Sequence, residues 1–592
     1  MTDQAGEPEQ GDEPEPAGGI ESGEDPRGDL RWGSIPGLVS DAAERFGPAE
    51  AVVDVTAKVR LSFAQLERAA LDVTRAVIAA GIHAGDRVAI WAPNTAEWVV
   101  AALGLVGAGV VLVPLNTRFK GPEAAYVLRT SRARALLTVR GFLGLDYPAL
   151  LEGEDLPDLE RIVLLRDDVG TLSEPTKSDE VPIFGWHEFL EGAEGVVESE
   201  DAVVGAVVGD HEARARWRAV QGADLSDIVF TSGTTGKPKG ATTTHAQTLR
   251  TFGTWSHIVG LEKGDRYLVV NPFFHTFGYK AGILACLMQG AVIVPVPVFD
   301  VDQVLATIAA ERVTVLPGPP TLYQSILDHP RRTDHDLSSL RLAVTGAAVV
   351  PVELVRRMGS ELAFTTVLTA YGLTESTGVV TMCRRGDDPE TIAWTSGRAI
   401  PGLEVRVVDD RGRQVPPGDA GEIVVRGYTV TPGYFEDPDA TAEAIDAQGF
   451  LHTGDVGVMD EAGNVRITDR KKDMFISGGF NAYPAEIEAA LLRHGAVAQV
   501  AVVGVPDDRM GEVACAFVVP RPDVDARALP DELVAWARDQ LANYKVPRYV
   551  EVVDALPVNA SGKVLKTELR AQFGGGPPPP EAVQTGGGGG TG

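Results

Sequence analysis

Ten residues, Thr231-Ser-Gly-Thr-Thr-Gly-Lys-Pro-Lys-Gly240, concentrate hydroxyls, glycines and lysines in one short stretch. They follow Asp227-Ile-Val-Phe230, which reads as a short buried strand. Glycine lets the backbone turn sharply and approach a ligand closely. Successive backbone N–H groups form an anion-binding concavity, and hydroxyls and ammonium groups donate to phosphate oxygens. The chemistry is that of a loop holding a polyphosphate, although a plain Gly/Thr surface loop would share the composition. A Walker P-loop is excluded by spacing. That motif needs Gly, four residues, then Gly-Lys-Ser/Thr. Counting back from Gly236-Lys237 puts Thr231 at the first glycine, and Pro238 stands where Ser or Thr is required.

The elements that must position this loop come from a chain of 592 residues, long enough for several domains. Hydrophobic content of 44% and charged content of 23% are those of a globular protein. A net charge of −30 excludes general nucleic-acid binding, which needs a basic face, and opposes adsorption on anionic membranes. Cys286, Cys383 and Cys515 are too scattered for a disulfide framework or a metal cluster. Met1 to Asp29 lacks a basic start and an apolar run. The apolar stretch Val99 to Val113 is shorter than the roughly 20 residues of a spanning helix. It reads as a buried helix leading into a strand, and a cytoplasmic enzyme is expected.

Residues 1–30 form an acidic, Gly/Pro-rich leader that is expected to be disordered. Order begins near Ile35. Ser62 is placed to cap a helix, and Asn94 or Thr95 to start another. Strands at Arg87–Trp91, Gly109–Val113, 135–139 and 162–166 alternate with helices, which predicts a parallel α/β sheet. Residues 167–215 read as an irregular acidic connection apart from Ile183–Phe189. From about 230 to 370 the α/β rhythm resumes, with strands expected at Tyr267–Val270, Ala291–Val296, Val313–Leu316, Leu340–Val344 and Thr366–Thr369. Near 400 the texture changes to an antiparallel β unit around Pro416-Pro-Gly418. From Arg470 a compact α+β unit follows, and from Gly574 a Gly/Pro tail. The expected divisions are residues 31–469, 470–573 and a disordered 574–592.

Further stretches carry chemistry. In Tyr371-Gly-Leu-Thr-Glu375 an aromatic can stack on a nucleobase, a threonine can donate to phosphate and a glutamate can bind Mg²⁺ together with phosphate oxygens. In Leu451-His-Thr-Gly-Asp455 an acceptor-only carboxylate after a glycine suits ribose hydroxyls. Asp469 to Glu488 and Asn559-Ala-Ser-Gly-Lys-Val564 complete the series.

In this order and spacing, these motifs resemble the adenylate-forming superfamily of acyl-CoA synthetases, luciferases and peptide-synthetase adenylation domains. The resemblance covers about residues 35–573. It implies a large N-terminal region of two α/β subdomains plus a β unit, and a small mobile C-terminal α+β domain. It also implies ATP, Mg²⁺ and CoA, and two steps. A carboxylate attacks the α-phosphorus of ATP to give acyl-AMP and pyrophosphate, and a thiol then displaces AMP.

By that resemblance, Thr231, Ser232, Gly233, Thr234, Thr235, Gly236 and Lys239 line the pyrophosphate side. Tyr371 and Gly372 lie beside adenine, Thr374 near the α-phosphate and Glu375 on Mg²⁺, while Asp455 and Arg470 hold the ribose. Lys563 is the adenylation lysine, and Lys563, Thr234, Glu375 and His275 make up the catalytic set. Phe274-His275 gates the carboxylate site, and Gly346-Ala347-Ala348 walls the acyl pocket, with Gly278, Tyr279, Lys280, Leu322 and Tyr323 as further candidates. Lys472 is the hinge, and Ser477-Gly-Gly-Phe480 lines the CoA tunnel.

The runs Val270–Gly282, Val313–Tyr323 and Lys472–Glu488 resemble an actinobacterial branch of CoA ligases. The acid of that branch is the hydrindane-dione propanoate left during cholesterol catabolism. The acidic leader, the acidic stretch before the phosphate loop and the Gly/Pro tail depart from it. Alternatives are a medium-chain fatty-acid or aryl-acid ligase, or an adenylation enzyme charging a carrier protein. No carrier-like segment follows Lys563, which favours free CoA. A degenerate binding protein is expected to lose Glu375, Asp455 or Lys563, and all three are present. Small-molecule partners only, and a monomer or homodimer, complete the expectation.

Overall fold

The computed structural model describes residues 31–166, 181–192, 198–199, 202–203, 207–231, 238–346, 350–470, 473–477, 480–482, 484–507, 509–522, 524–541, 543–558 and 564–573. The leader, the Gly/Pro tail and Lys472, expected as the hinge, therefore lie outside the described residues.

In chain order the first strands are β1 (Glu50–Asp54), β2 (Val59–Ser62), β3 (Arg87–Trp91), β4 (Val111–Pro114), β5 (Ala133–Thr138), β6 (Arg161–Leu164) and β7 (Ile183–Gly185). A short hairpin, β8 (Glu198–Ser199) and β9 (Ala202–Val203), precedes β10 (Leu225–Thr231), β11 (Lys239–Thr244), β12 (Arg266–Val269) and β13 (Val292–Pro295). Then come β14 (Leu342–Gly346), β15 (Thr366–Tyr371), β16 (Thr381–Met382) and β17 (Arg398–Ala399). One sheet has the order β11-β10-β4-β3-β5-β6-β7, parallel except for the β10–β11 hairpin. Two four-stranded runs, β12-β13-β1-β2 and β14-β15-β16-β17, meet through Val315, which bridges Tyr267 on one side and Leu342 on the other. The strand expected at Val313–Leu316 is thus a single bridging residue that welds two half-sheets.

Local signals place the helices. Helix Phe63–Ala79 starts with Ser62 accepting from Gln65 N–H while the Gln65 side chain accepts from Ser62 N–H, a reciprocal capping box. Thr95 caps helix Ala96–Gly107, whose residues from Trp98 to Gly107 are all buried, as an apolar-all-round helix must be. The connection at 167–215 departs from expectation where it is described, because Asp210–Ala219 is helical. This helix buries only Ala213 and Trp217. It is held by Trp217 Nε1 donating to Thr74 Oγ1 at 2.8 Å, and by acids in its first turn and arginines in its last, matching its dipole.

The β unit is an antiparallel meander of β18 (Leu403–Val408), β19 (Ala420–Gly427), β20 (Leu451–Met459) and β21 (Val465–Arg470). Beyond it, β22 (Phe475–Ser477), β23 (Phe480–Ala482), β24 (Val497–Asp507), β25 (Gly511–Pro520) and β26 (Tyr549–Val552) form a separate five-stranded sheet. Alternate residues of its two long strands serve opposite faces. Val502, Ala514, Ala516 and Val518 pack with Leu529 and Leu533. Ala501, Val503, Cys515 and Phe517 pack with Leu569.

The large core runs from Ile35 to Ile400. All three cysteines are free and fully buried. Burial pushes each thiol up, that of Cys515 to about 12. Among the described residues no helix is long and apolar enough to cross a membrane.

Candidate active site

The phosphate-loop sequence bridges a hairpin. Thr231 ends β10, Lys239 begins β11, and the two are paired across the ladder. Ser232, Gly233, Thr234, Thr235 and Gly236 lie outside the described residues, but the return of the loop is pinned by Tyr126, which donates to the Pro238 carbonyl at 3.1 Å. Strand β11 is stitched to the segment 429–435. Thr242 N–H and Oγ1 both donate to the Gly433 carbonyl, and Phe435 N–H donates to the Gly240 carbonyl at 2.8 Å.

The motif at 371–375 begins at the end of β15. Gly372 faces the Gly378 carbonyl so closely that a Cβ would lie 2.2 Å from its oxygen, which requires glycine there. Thr374, Glu375 and Ser376 then form one tight 3₁₀ turn. The Glu375 carbonyl accepts from Thr431 N–H at 2.8 Å. Its carboxylate Oε1 accepts from Thr231 Oγ1 and from Tyr434 OH, each at 3.0 Å. Tyr434 is a residue that the motif reading missed. Burial first, and the adjacent Glu375 carboxylate second, raise its phenol pKa, so it remains a donor at working pH. Its ring faces the Lys239 ammonium at 5.3 Å.

Tyr371 OH donates to Asp455 Oδ2 at 2.6 Å, joining the two motifs assigned to adenine and ribose. Asp455 is nearly buried and follows a left-handed Gly454. Its main chain is registered against Arg470 on β21. Gly346 ends β14 opposite Ala370, one residue before Tyr371, and a Cβ there would come 2.7 Å from the Ala370 oxygen. Ala347 and Ala348 lie outside the described residues.

Phe274 and His275 lie in the turn between β12 and a π-helix at Phe277–Leu284. Asn94 clamps that turn, donating to the carbonyls of Val269 (3.1 Å) and Asn271 (2.9 Å) and accepting from Phe273 N–H (2.7 Å). Of the two residues read as able to start the next helix, Thr95 is the cap and Asn94 makes this clamp. Phe274 is buried, whereas His275 presents its ring at an accessible surface. Surrounding protein nonetheless desolvates the imidazole and lowers its pKa, so it is neutral at neutral pH. Nδ1 accepts from Phe277 N–H at 3.3 Å. The proton of the neutral ring is thereby assigned to Nε2.

The neighbouring candidates Tyr279, Lys280, Leu322 and Tyr323 are buried. Tyr323 OH donates to the Leu316 carbonyl at 2.7 Å. Lys280 and Asp227, both fully buried, form an ion pair at 2.9 Å. Burial lowers the Lys280 pKa and Asp227 opposes the shift.

In the C-terminal sheet, Ser477 is buried and is paired with Phe480 between β22 and β23. Gly478, Gly479 and Lys563 lie outside the described residues, and Val558 and Val564 form an isolated antiparallel bridge.

The end of β15 and the turn that follows it thus carry two hydrogen-bonded groups, Tyr371 with Asp455, and Glu375 with Thr231 and Tyr434, beside a lysine at the start of β11. The chain belongs to the AMP-binding enzyme family. That family matches residues 39–435, and the AMP-binding enzyme C-terminal domain matches residues 486–563. A (7a-methyl-1,5-dioxo-octahydro-1H-inden-4-yl)propanoyl:CoA ligase of Rhodococcus jostii is 50% identical over 540 residues, 91% of this chain and 98% of that one. A ligase of the same name from Mycobacterium tuberculosis is 49% identical over 513 residues, 86% and 94% of the two chains. Among solved structures, the anthranilate CoA ligase AuaEII in complex with anthranoyl-AMP superposes with a TM-score of 0.77 at 28% identity, covering 91% of this chain and 97% of the other.

Proposed function

We propose that this chain is an AMP-forming acyl-CoA ligase whose acid is the bicyclic hydrindane-dione propanoate. The observation that carries the reading is the 50% identity to the Rhodococcus ligase across 98% of its length. In the first half-reaction a carboxylate oxygen bonds to the α-phosphorus of ATP and pyrophosphate leaves. In the second, the CoA sulfur attacks the acyl carbonyl and AMP leaves.

In this reading Thr231, Ser232, Gly233, Thr234, Thr235, Gly236 and Lys239 receive the β- and γ-phosphates. Tyr371 and Gly372 face adenine, Thr374 the α-phosphate, and Asp455 with Arg470 the ribose. Glu375 with phosphate oxygens suits Mg²⁺, which is commonly held by one or two carboxylates plus substrate phosphates. When bound, the ion supplies neutralising charge to the departing pyrophosphate. Lys563 stabilises charge developing at the α-phosphate. His275, neutral with its proton on Nε2, donates to the acid beside Phe274, and Gly346, Ala347 and Ala348 leave room for a fused ring. Lys472 is the hinge about which residues 470–573 turn between half-reactions, bringing Ser477, Gly478, Gly479 and Phe480 to the CoA arm.

Pyrophosphate release is the test, measured across straight-chain, aryl and hydrindane-dione acids with and without CoA. The bicyclic acid should give the highest kcat/KM and a CoA thioester. Turnover confined to straight-chain acids would sink the substrate assignment, and acyl-AMP without any thioester would point to a carrier protein. Lys472→Pro should retain acyl-AMP formation and slow thioester formation; equal loss of both removes the hinge role.

A further inference from the structure

The Glu375 carboxylate is held asymmetrically. Thr231 Oγ1 and Tyr434 OH both donate to Oε1, each at 3.0 Å, while among the described residues Oε2 accepts no hydrogen bond. Two donors on one oxygen restrain rotation of the carboxylate and leave the other oxygen for a further partner. The second donor is itself firmly held. Tyr434 bridges Ala241 of β11, its N–H donates to Thr441 Oγ1 at 2.9 Å, and the next residue donates to the Gly240 carbonyl. The same side chain has a second contact. Its ring faces the Lys239 ammonium at 5.3 Å, and among the described residues that ammonium also has the exposed Glu443 at 3.8 Å. One tyrosine therefore touches both the carboxylate suited to a divalent cation and the lysine at the return of the phosphate loop.

We propose that Tyr434 is a positioning residue for the metal–polyphosphate end of the site: its hydroxyl aims Glu375 Oε2 at the cation, and its ring seats Lys239 for the phosphates. The proposal rests on the reading of Glu375 as the Mg²⁺ carboxylate. The two contacts are separable by substitution. Tyr434→Phe removes the hydroxyl and keeps the ring; Tyr434→Leu removes both. Partners of metal-binding carboxylates typically matter by about 10- to 100-fold in metal affinity.

The experiment is Mn²⁺ binding to the full chain with a non-hydrolysable α,β-methylene ATP analogue, followed by electron paramagnetic resonance, with analogue affinity measured separately in EDTA. Tyr434→Phe should weaken Mn²⁺ by about 10-fold and leave the affinity in EDTA unchanged. Tyr434→Leu should weaken Mn²⁺ similarly and also weaken the analogue in EDTA. Thr231→Val, which removes the other donor to Oε1, should weaken Mn²⁺ in the same direction. A Phe variant that binds Mn²⁺ as wild type does overturns the aiming role. Phe and Leu variants with the same affinity in EDTA overturn the seating role. Wild type that binds the analogue but no Mn²⁺ would instead remove the Glu375 reading on which the proposal stands. Urea unfolding of each variant identifies any that fail to fold; for those, Thr231→Val carries the metal test alone.

Discussion

His245 should make the stability of the N-terminal region fall steeply on mild acidification. The residue is fully buried and opens helix His245–Val259, where the helix dipole already disfavours a cation. Its Nδ1 accepts from Ile35 N–H at 3.3 Å, and Nε2 has no hydrogen-bond partner among the described residues. Burial, with a smaller contribution from the nearby Lys280 charge, lowers its pKa to about 3. An unfolded histidine titrates near 6.5. Between those values the unfolded chain binds the extra proton, so stability is full above about pH 6.5 and declines as pH falls toward 3. At about 1.36 kcal/mol per pH unit, moving from pH 7 to pH 5 spans roughly 1.5 units of that window and costs about 2 kcal/mol. Other groups titrate as well, so the measurement is a double difference. Urea unfolding free energies of wild type and His245→Gln are compared at both pH values, glutamine retaining an acceptor for Ile35. The advantage of wild type over the variant should shrink by about 2 kcal/mol at the lower pH. A constant difference would show that the folded state protonates His245 as readily as the unfolded chain, and would refute the argument.

Three other outcomes follow from the same geometry. Lys280→Met leaves Asp227 buried and uncompensated and should cost about 3–5 kcal/mol in urea unfolding, most of it recovered in the double variant Lys280→Met/Asp227→Asn. Gly372→Ala drives a Cβ into the Gly378 carbonyl, and a strain of about 1–3 kcal/mol at the turn carrying Glu375 should lower ATP–pyrophosphate exchange about tenfold or more. Asn94→Ala removes the clamp on the turn before His275. It should raise the KM for the acid while leaving that for ATP unchanged, and equal effects on both would argue against a local role.

Much of the frame was legible because it is written locally. Arg87–Trp91 has the predicted bounds, and Ser62 is a cap as read. What escaped depends on partners far along the chain. Helix Asp210–Ala219 has two buried residues, and its anchor Thr74 is 143 positions away. Lys280 looked like pocket lining because it follows His275 closely. The π-helix turns it inward to Asp227, and no local periodicity announces that geometry. Tyr434 belongs to no motif, and its contact with Glu375 crosses 59 positions. The motif residues Thr231, Glu375, Tyr371 and Asp455 were legible as chemistry. Their hydrogen bonds to one another required the folded chain.

The three buried cysteines have a practical corollary. A thiol reagent needs an exposed thiolate, and Cys286, Cys383 and Cys515 offer none. The native chain is therefore a background unreactive toward thiol labels. One cysteine introduced on an exposed position of each unit would accept a fluorophore pair without removal of any natural residue. The distance between the two units could then be followed through a full turnover in the otherwise unaltered protein.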